Sequence, residues 1–79
     1  MVVILNTLKP LLADVFGIEE TDVTPSASFE ADFGADHEDM IEIAMMIEEE
    51  FDVLIDDEDL PQIRSVADLI AYIEAHGNE

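Results

Sequence analysis

Residues 36–52, Asp-His-Glu-Asp-Met-Ile-Glu-Ile-Ala-Met-Met-Ile-Glu-Glu-Glu-Phe-Asp, decide the fold of this 79-residue chain. Asp36 is suited to cap the start of a helix, and apolar residues at helical spacing predict that the helix runs to about Phe51. We expect the inner side of this helix to carry Met40, Ile41, Ala44, Ile47 and Phe51. The glutamates between them are then left on the surface.

A first amphipathic helix is predicted before this segment. Apolar residues recur at helical spacing up to Phe16, and Gly17 suits a left-handed cap at its end. Pro10 allows two starts for the helix. Either Thr7 caps it with Pro10 in the first turn, or it begins near Val2 and bends.

The segment 18–35 shows no sustained period and contains Thr24-Pro25-Ser26. It is therefore predicted to be a long loop, which is uncommon in a compact domain and usually functional. Apolar residues within it are expected to anchor it: Ile18, Val23, Phe29 and Phe33.

The C-terminal part predicts two more helices. Asp56-Asp57-Glu58-Asp59 places negative charge where a helix start favours it, and Pro61 stops that helix within a turn or two. Ser65 is expected to cap the last helix, with Gly77 just past its end. Its buried stripe is Val66, Leu69, Ile70 and Ile73. Because no strand alternation or linker is visible, the sequence predicts one all-α four-helix domain over residues 1–79.

The charge of the chain restricts its partners. The sequence contains 21 acidic residues and two basic ones, Lys9 and Arg64, which gives a formal charge of −19. Because 49% of the residues are hydrophobic, a folded domain is nevertheless expected. Nucleic acid and anionic membranes carry the same sign of charge, so basic protein surfaces are the expected partners and self-repulsion favours a monomer. Met1–Leu5 is too short to span a bilayer and no basic region precedes it, so we expect a cytoplasmic protein.

Several stretches carry a family resemblance. They are Asp22-Val23-Thr24-Pro25 with Ser28-Phe29, Asp32-Phe33-Gly34-Ala35-Asp36, Glu48-Glu49-Glu50-Phe51-Asp52, and Ser65-Val66-Ala67-Asp68 through Tyr72-Ile73. With these stretches the chain resembles acyl carrier proteins across essentially its whole length. The resemblance implies a four-helix bundle with a short third helix. Its members serve fatty acid, polyketide or similar synthesis and are not themselves enzymes.

The attachment motif of that family is altered in this chain. In the family the motif is Asp-Ser-Leu, and its serine carries 4′-phosphopantetheine at the start of the second helix. This chain has Asp36-His37-Glu38. A phosphodiester to a hydroxyl is stable, whereas a phosphorylated imidazole hydrolyses readily, and Glu38 replaces the leucine that helps dock the modifying transferase. We therefore expect no cofactor at the usual site, and 4′-phosphopantetheine only through a variant attachment.

The resemblance also implies a docking surface on the second helix. Its acidic and apolar positions would meet basic patches on acyl-transfer or biosynthetic enzymes; they are Asp36, Glu38, Asp39, Ile41, Glu42, Met45, Glu48 and Glu49. An ordinary solvated helix face explains the charges equally well. Two further interpretations stay open: a true carrier with a variant modification site, and an acidic module that responds to divalent cations.

No other motif supports a reaction or a dedicated metal site. His37-Glu38 begins a zinc-protease pattern, but Ile41 stands where its second histidine is needed. The chain has no cysteine, and its carboxylates form no twelve-residue calcium loop, so only loose, charge-neutralising cation binding is expected. Ser26, Ser28 and Ser65 lie away from the start of the predicted second helix, so none stands where the family places the arm.

Overall fold

The computed structural model describes residues 2–77, so Met1, Asn78 and Glu79 of the predicted domain lie outside the described residues. Four α-helices are present: α1 (Val2–Phe16), α2 (Phe29–Phe33), α3 (His37–Phe51) and α4 (Val66–His76). Two single-turn 3-10 helices, Glu20–Asp22 and Leu60–Gln62, lie between them. No strand occurs within residues 2–77, so the predicted all-α bundle is confirmed.

The first helix begins at Val2, which is the second of the two predicted starts. Thr7 does not cap it, because the Thr7 hydroxyl donates to the Val3 carbonyl one turn earlier, at 3.0 Å. Pro10 lies inside the helix and gives up one backbone donor there. Leu8 and Leu12 on either side of it are fully buried, and this burial holds the helix in place.

The predicted loop 18–35 contains α2, a helix that the sequence did not predict. Ser28 caps it by accepting the Ala31 amide at 3.1 Å, and Gly34 ends it in the left-handed conformation. A helix of five residues is too short to show a hydrophobic period. The predicted anchors are confirmed, because Val23 and Phe29 are buried while Ile18 and Phe33 pack against the core.

Backbone hydrogen bonds join this loop to the start of the last helix. The Phe29 amide donates to the Arg64 carbonyl at 2.9 Å, and the Val66 amide donates to the Ala27 carbonyl at 3.0 Å. The ring of Phe33 also stacks on Phe16 with centroids 5.2 Å apart. The loop is therefore a fixed part of the fold and holds its side chains beside the start of α3.

The inner side of α3 differs from the prediction at two positions, Ile41 and Ile43. Ile43 and Ile47 are buried, and the predicted inner residues Met40, Ala44 and Phe51 are partly buried against the same core. Ile41 is 39% exposed, so its prediction as an inner residue is wrong. All four residues predicted to form the buried stripe of α4 are confirmed: Val66, Leu69, Ile70 and Ile73.

The third predicted element is a single 3-10 turn, Leu60–Gln62. Pro61 was predicted to stop this element. It lies instead inside the turn, at a position where a missing amide donor is tolerated. Asp59 precedes it, but its side chain makes no cap and instead accepts the Tyr72 hydroxyl at 2.9 Å. Ser65 and Asp68 form the predicted cap of α4 as a reciprocal pair.

The residue after α3 offers a stability test. Asp52 has φ 59, a left-handed conformation that is unfavourable for a residue with a Cβ, and its charge lies at the negative end of the helix dipole. Asp52→Gly should therefore raise the free energy of unfolding by about 0.5–1 kcal/mol, measured by urea denaturation. Asp52→Asn, which removes the charge alone, should give a smaller gain. Equal gains from both variants would show that charge and not backbone conformation is responsible.

Candidate functional site

The start of α3 is fixed by two reciprocal hydrogen bonds. The Asp39 amide donates to Asp36 Oδ1 at 2.9 Å, and the Asp36 amide donates to Asp39 Oδ2 at 3.1 Å. This capping box satisfies two backbone donors that the helix leaves unpaired. The predicted cap by Asp36 is therefore confirmed, and Asp39, predicted only as a partner contact, has a structural role in the same capping box.

The remaining predicted partner residues share one exposed face of α3, which we call the acidic face. It comprises Glu38, Ile41, Glu42, Met45, Glu48 and Glu49, all of them exposed. At 100° per residue they cover about 120° of the helix circumference. Ile41 and Met45, 39% and 57% exposed, lie in the middle of the acidic face with carboxylates on both sides.

His37 is exposed and is the first residue of α3. Its side chain lines a groove of about 360 Å³ between α2, α3 and the turn Leu60–Gln62. The apolar lining of this groove includes Phe29, Met40, Leu60 and Ile63. The polar residues Ser28, Asp36 and Arg64 also line it, so His37 is one of the lining residues of an amphipathic groove.

Ser28 lies in the same groove as His37, a proximity that the sequence analysis missed. The two residues are nine positions apart but line one groove, and the loop that carries Ser28 is held by an isolated bridge between Ser28 and Ser65. The Ser28 hydroxyl is already an acceptor for the Ala31 amide. The sequence contains a signal for the cap of α2, because an acidic residue, Asp32, follows Ser28 by four positions. Its side chain accepts the Ser28 amide at 2.6 Å.

A second groove, of about 120 Å³, lies beside the acidic face. It is lined by Ile41, Met45 and Glu48 of α3 and by Leu54 and Asp57 of the following segment. Leu54 is 65% exposed, while its neighbours Val53 and Ile55 are buried. Val53, Leu54 and Ile55 are all apolar, so the sequence does not show which of the three is exposed.

Within the described part of the chain, no three His, Asp or Glu side chains are grouped to hold a metal ion. None of the described helices has the length and apolar character needed to cross a membrane. Both observations concern residues 2–77 only.

The residues at the start of α3 do not fit the covalent attachment of a phosphopantetheine arm. The arm requires an oxygen nucleophile, and the first residue of α3 is His37, whose imidazole offers only nitrogen. The nearest serine identified in the groove, Ser28, belongs to a different helix and is used as its cap. The first residue of α3 therefore offers no hydroxyl for such an attachment.

Comparison with known proteins identifies the family. The model of the family described as "Phosphopantetheine attachment site" matches residues 6–73. A solved structure of the acyl carrier protein from Enterococcus faecalis, described for novel structural components that contribute to its high thermal stability, superimposes with a TM-score of 0.79. The two chains are 29% identical, and the match covers 92% of each. Carrier domains of this kind are not catalytic, so this chain is not an enzyme, and it belongs to the acyl carrier protein family.

Proposed function

We propose that this protein is a carrier-family member that docks on acyl-transfer or biosynthetic enzymes through the acidic face of α3 and carries no phosphopantetheine at position 37. The supporting observation is the combination of an exposed, continuous acidic face with an imidazole at the attachment position. It acts as a single domain over residues 1–79, as a cytoplasmic monomer. Its role is that of a regulatory decoy or a scaffold for enzymes that normally recognise a loaded carrier.

Charge supports basic protein partners. A formal charge of −19 repels nucleic acid and anionic lipid, whereas arginine and lysine patches are attracted to it. Complementary charge of this kind raises association rates and fixes orientation more than it sets affinity. Ile41 and Met45 in the middle of the acidic face supply the apolar contact that gives such a complex its lifetime.

A variant carrier is the second candidate, and the position of Ser28 favours it. Ser28 is the hydroxyl-bearing residue that shares a groove with His37. Attachment there would place the arm in the groove that His37 also lines, although it would disturb the cap of α2. This candidate differs from the first in one measurable property, the mass of the purified protein after modification.

The mass of the protein tests the proposal directly. Purified protein is incubated with coenzyme A and a phosphopantetheinyl transferase, with a standard acyl carrier protein as positive control, and intact mass is measured. We expect no change in mass. A gain of one phosphopantetheine group would overturn the proposal, and its loss in Ser28→Ala would establish the second candidate.

Binding tests the docking half of the proposal. Glu48→Lys and Glu42→Lys should each weaken binding to a basic acyl-carrier-dependent transferase by about tenfold at low salt, because each places a like charge against the partner. The matched control is Glu50→Lys, which makes the same charge change on another side of α3. Surface plasmon resonance gives the dissociation constants. An equal loss in all three variants would show that net charge, and not the acidic face, determines binding.

A further inference from the structure

The segment after α3 forms the second wall of the groove beside the acidic face. Ile41 and Met45 line the groove from α3, and Leu54 lines it from the opposite segment. Leu54 is 65% exposed, the largest exposed fraction among the apolar residues of this groove. Three exposed apolar side chains from two separate segments therefore meet at one place on the surface.

The second wall is held in place by the core and by a tyrosine. Val53 and Ile55 on either side of Leu54 are buried, which fixes Leu54 pointing outward. The Tyr72 hydroxyl donates to Asp59 Oδ2 at 2.9 Å and lies 3.4 Å from the Leu54 carbonyl oxygen. Burial raises the pKa of Tyr72, and its hydrogen bond to Asp59 raises it further, so this donor stays protonated at neutral pH. The groove is thus a preformed feature.

We propose that this groove receives one apolar side chain of a partner protein, flanked by lysine or arginine, and that Leu54 is the anchoring contact. The proposal rests on the proposed docking function and adds to it a second wall outside α3. Leu54 belongs to none of the positions that the sequence analysis assigned to docking.

The size of the groove and its charge determine this occupant. A volume of about 120 Å³ is well below the roughly 300–1,000 Å³ of small-molecule pockets and close to the roughly 150 Å³ cavity that holds a benzene-sized group. It therefore suits a single side chain. Glu48 on one wall and Asp57 on the other are exposed carboxylates, so basic residues beside that side chain would be paired on both sides.

A synthetic peptide tests the groove without a natural partner. The probe is an alanine-rich helical peptide in which one leucine has an arginine one turn away on each side. Titration into the protein, followed by amide chemical shifts, should perturb residues on both walls. Leu54→Ser should weaken this binding by about tenfold, because the buried contact of one aliphatic side chain is lost. The control is Val3→Ser, which changes a 77% exposed apolar residue on α1 and should leave binding unchanged.

The peptide itself provides the second half of the test. Replacing its leucine by alanine should weaken binding to the native protein about tenfold and have much less effect on Leu54→Ser, which shows that the two side chains meet. Equal binding by the native protein and Leu54→Ser, or no binding of the leucine peptide, would overturn the proposal. Leu54 is exposed, so its replacement should leave the melting temperature unchanged.

Failure of this proposal is distinguishable from failure of the proposed function. If Glu48→Lys weakens binding to the transferase while Leu54→Ser has no effect there or with the peptide, docking through the acidic face stands and the groove proposal fails. If no carrier-dependent enzyme binds but the peptide binding follows Leu54, the groove stands and the enzyme-docking function fails.

Discussion

The double variant His37→Ser, Glu38→Leu should accept one phosphopantetheine group where the native protein accepts none. The variant restores the hydroxyl at the first position of α3 and the apolar residue that follows it, and the acidic face is left otherwise intact. The cap of α3 depends on Asp36 and Asp39, which are unchanged, so the serine is presented on the same helix start. Intact mass after incubation with coenzyme A and a phosphopantetheinyl transferase gives the result.

Two controls separate the contributions of the hydroxyl and the leucine. His37→Ala, Glu38→Leu has the docking residue without a nucleophile and should gain no mass. His37→Ser alone has the nucleophile and should react at least about tenfold more slowly than the double variant, because Glu38 would bury a charge against the transferase. Failure of the double variant to react, with an unchanged melting temperature, would mean that features beyond positions 37 and 38 prevent modification, contrary to our expectation.

Local signals allowed the helix ends to be predicted from the sequence. Asp36 and Ser65 were identified as caps because each stands before an apolar helical pattern, and in both cases an aspartate three residues later completes a capping box. Gly17 was placed at the end of α1 because its left-handed conformation has no steric cost there. Each of these helix caps depends on residues within one turn of it. A short stretch of sequence is therefore enough to predict it.

Features set by contacts distant in the chain were not predictable in the same way. Helix α2 is held by its cap and by pairing of the loop with residues before α4, which no local period reveals. The groove shared by Ser28 and His37 and the outward direction of Leu54 arise from the same tertiary packing. The assignment of His37 to the attachment position of the family rests on the family resemblance and not on a hydrophobic period.

The inner face of α3 was predicted wrongly at two positions, Ile41 and Ile43, and the composition of the helix explains why. Among residues 40–47 only Glu42 is polar, so apolar side chains surround most of the helix and several faces satisfy the same spacing. Packing against α1 and the turn Leu60–Gln62 then decides the face. Ile43 became a core residue and Ile41 a surface residue.

Substitutions of these two isoleucines should therefore have opposite effects. Ile43 is 1% exposed, so Ile43→Ala should cost about 2–5 kcal/mol of unfolding free energy through lost burial and the cavity left behind. Ile41 is 39% exposed, so Ile41→Ala should cost less than about 1 kcal/mol. Urea denaturation of both variants, followed by circular dichroism, gives the two free energies.

For binding to the carrier-dependent transferase we expect the opposite order: substitution of Ile41 should have the larger effect and substitution of Ile43 the smaller. A small domain with a total stability of roughly 5 kcal/mol can unfold on the loss of Ile43, so Ile43→Val, which costs about 0.5–1.5 kcal/mol, is the variant for the binding experiment. Ile43→Val should bind the transferase as the native protein does, because its side chain never reaches the surface. Ile41→Ala should bind several-fold more weakly while remaining fully folded, since it lies in the middle of the acidic face. Unchanged binding by Ile41→Ala would contradict the proposed docking surface.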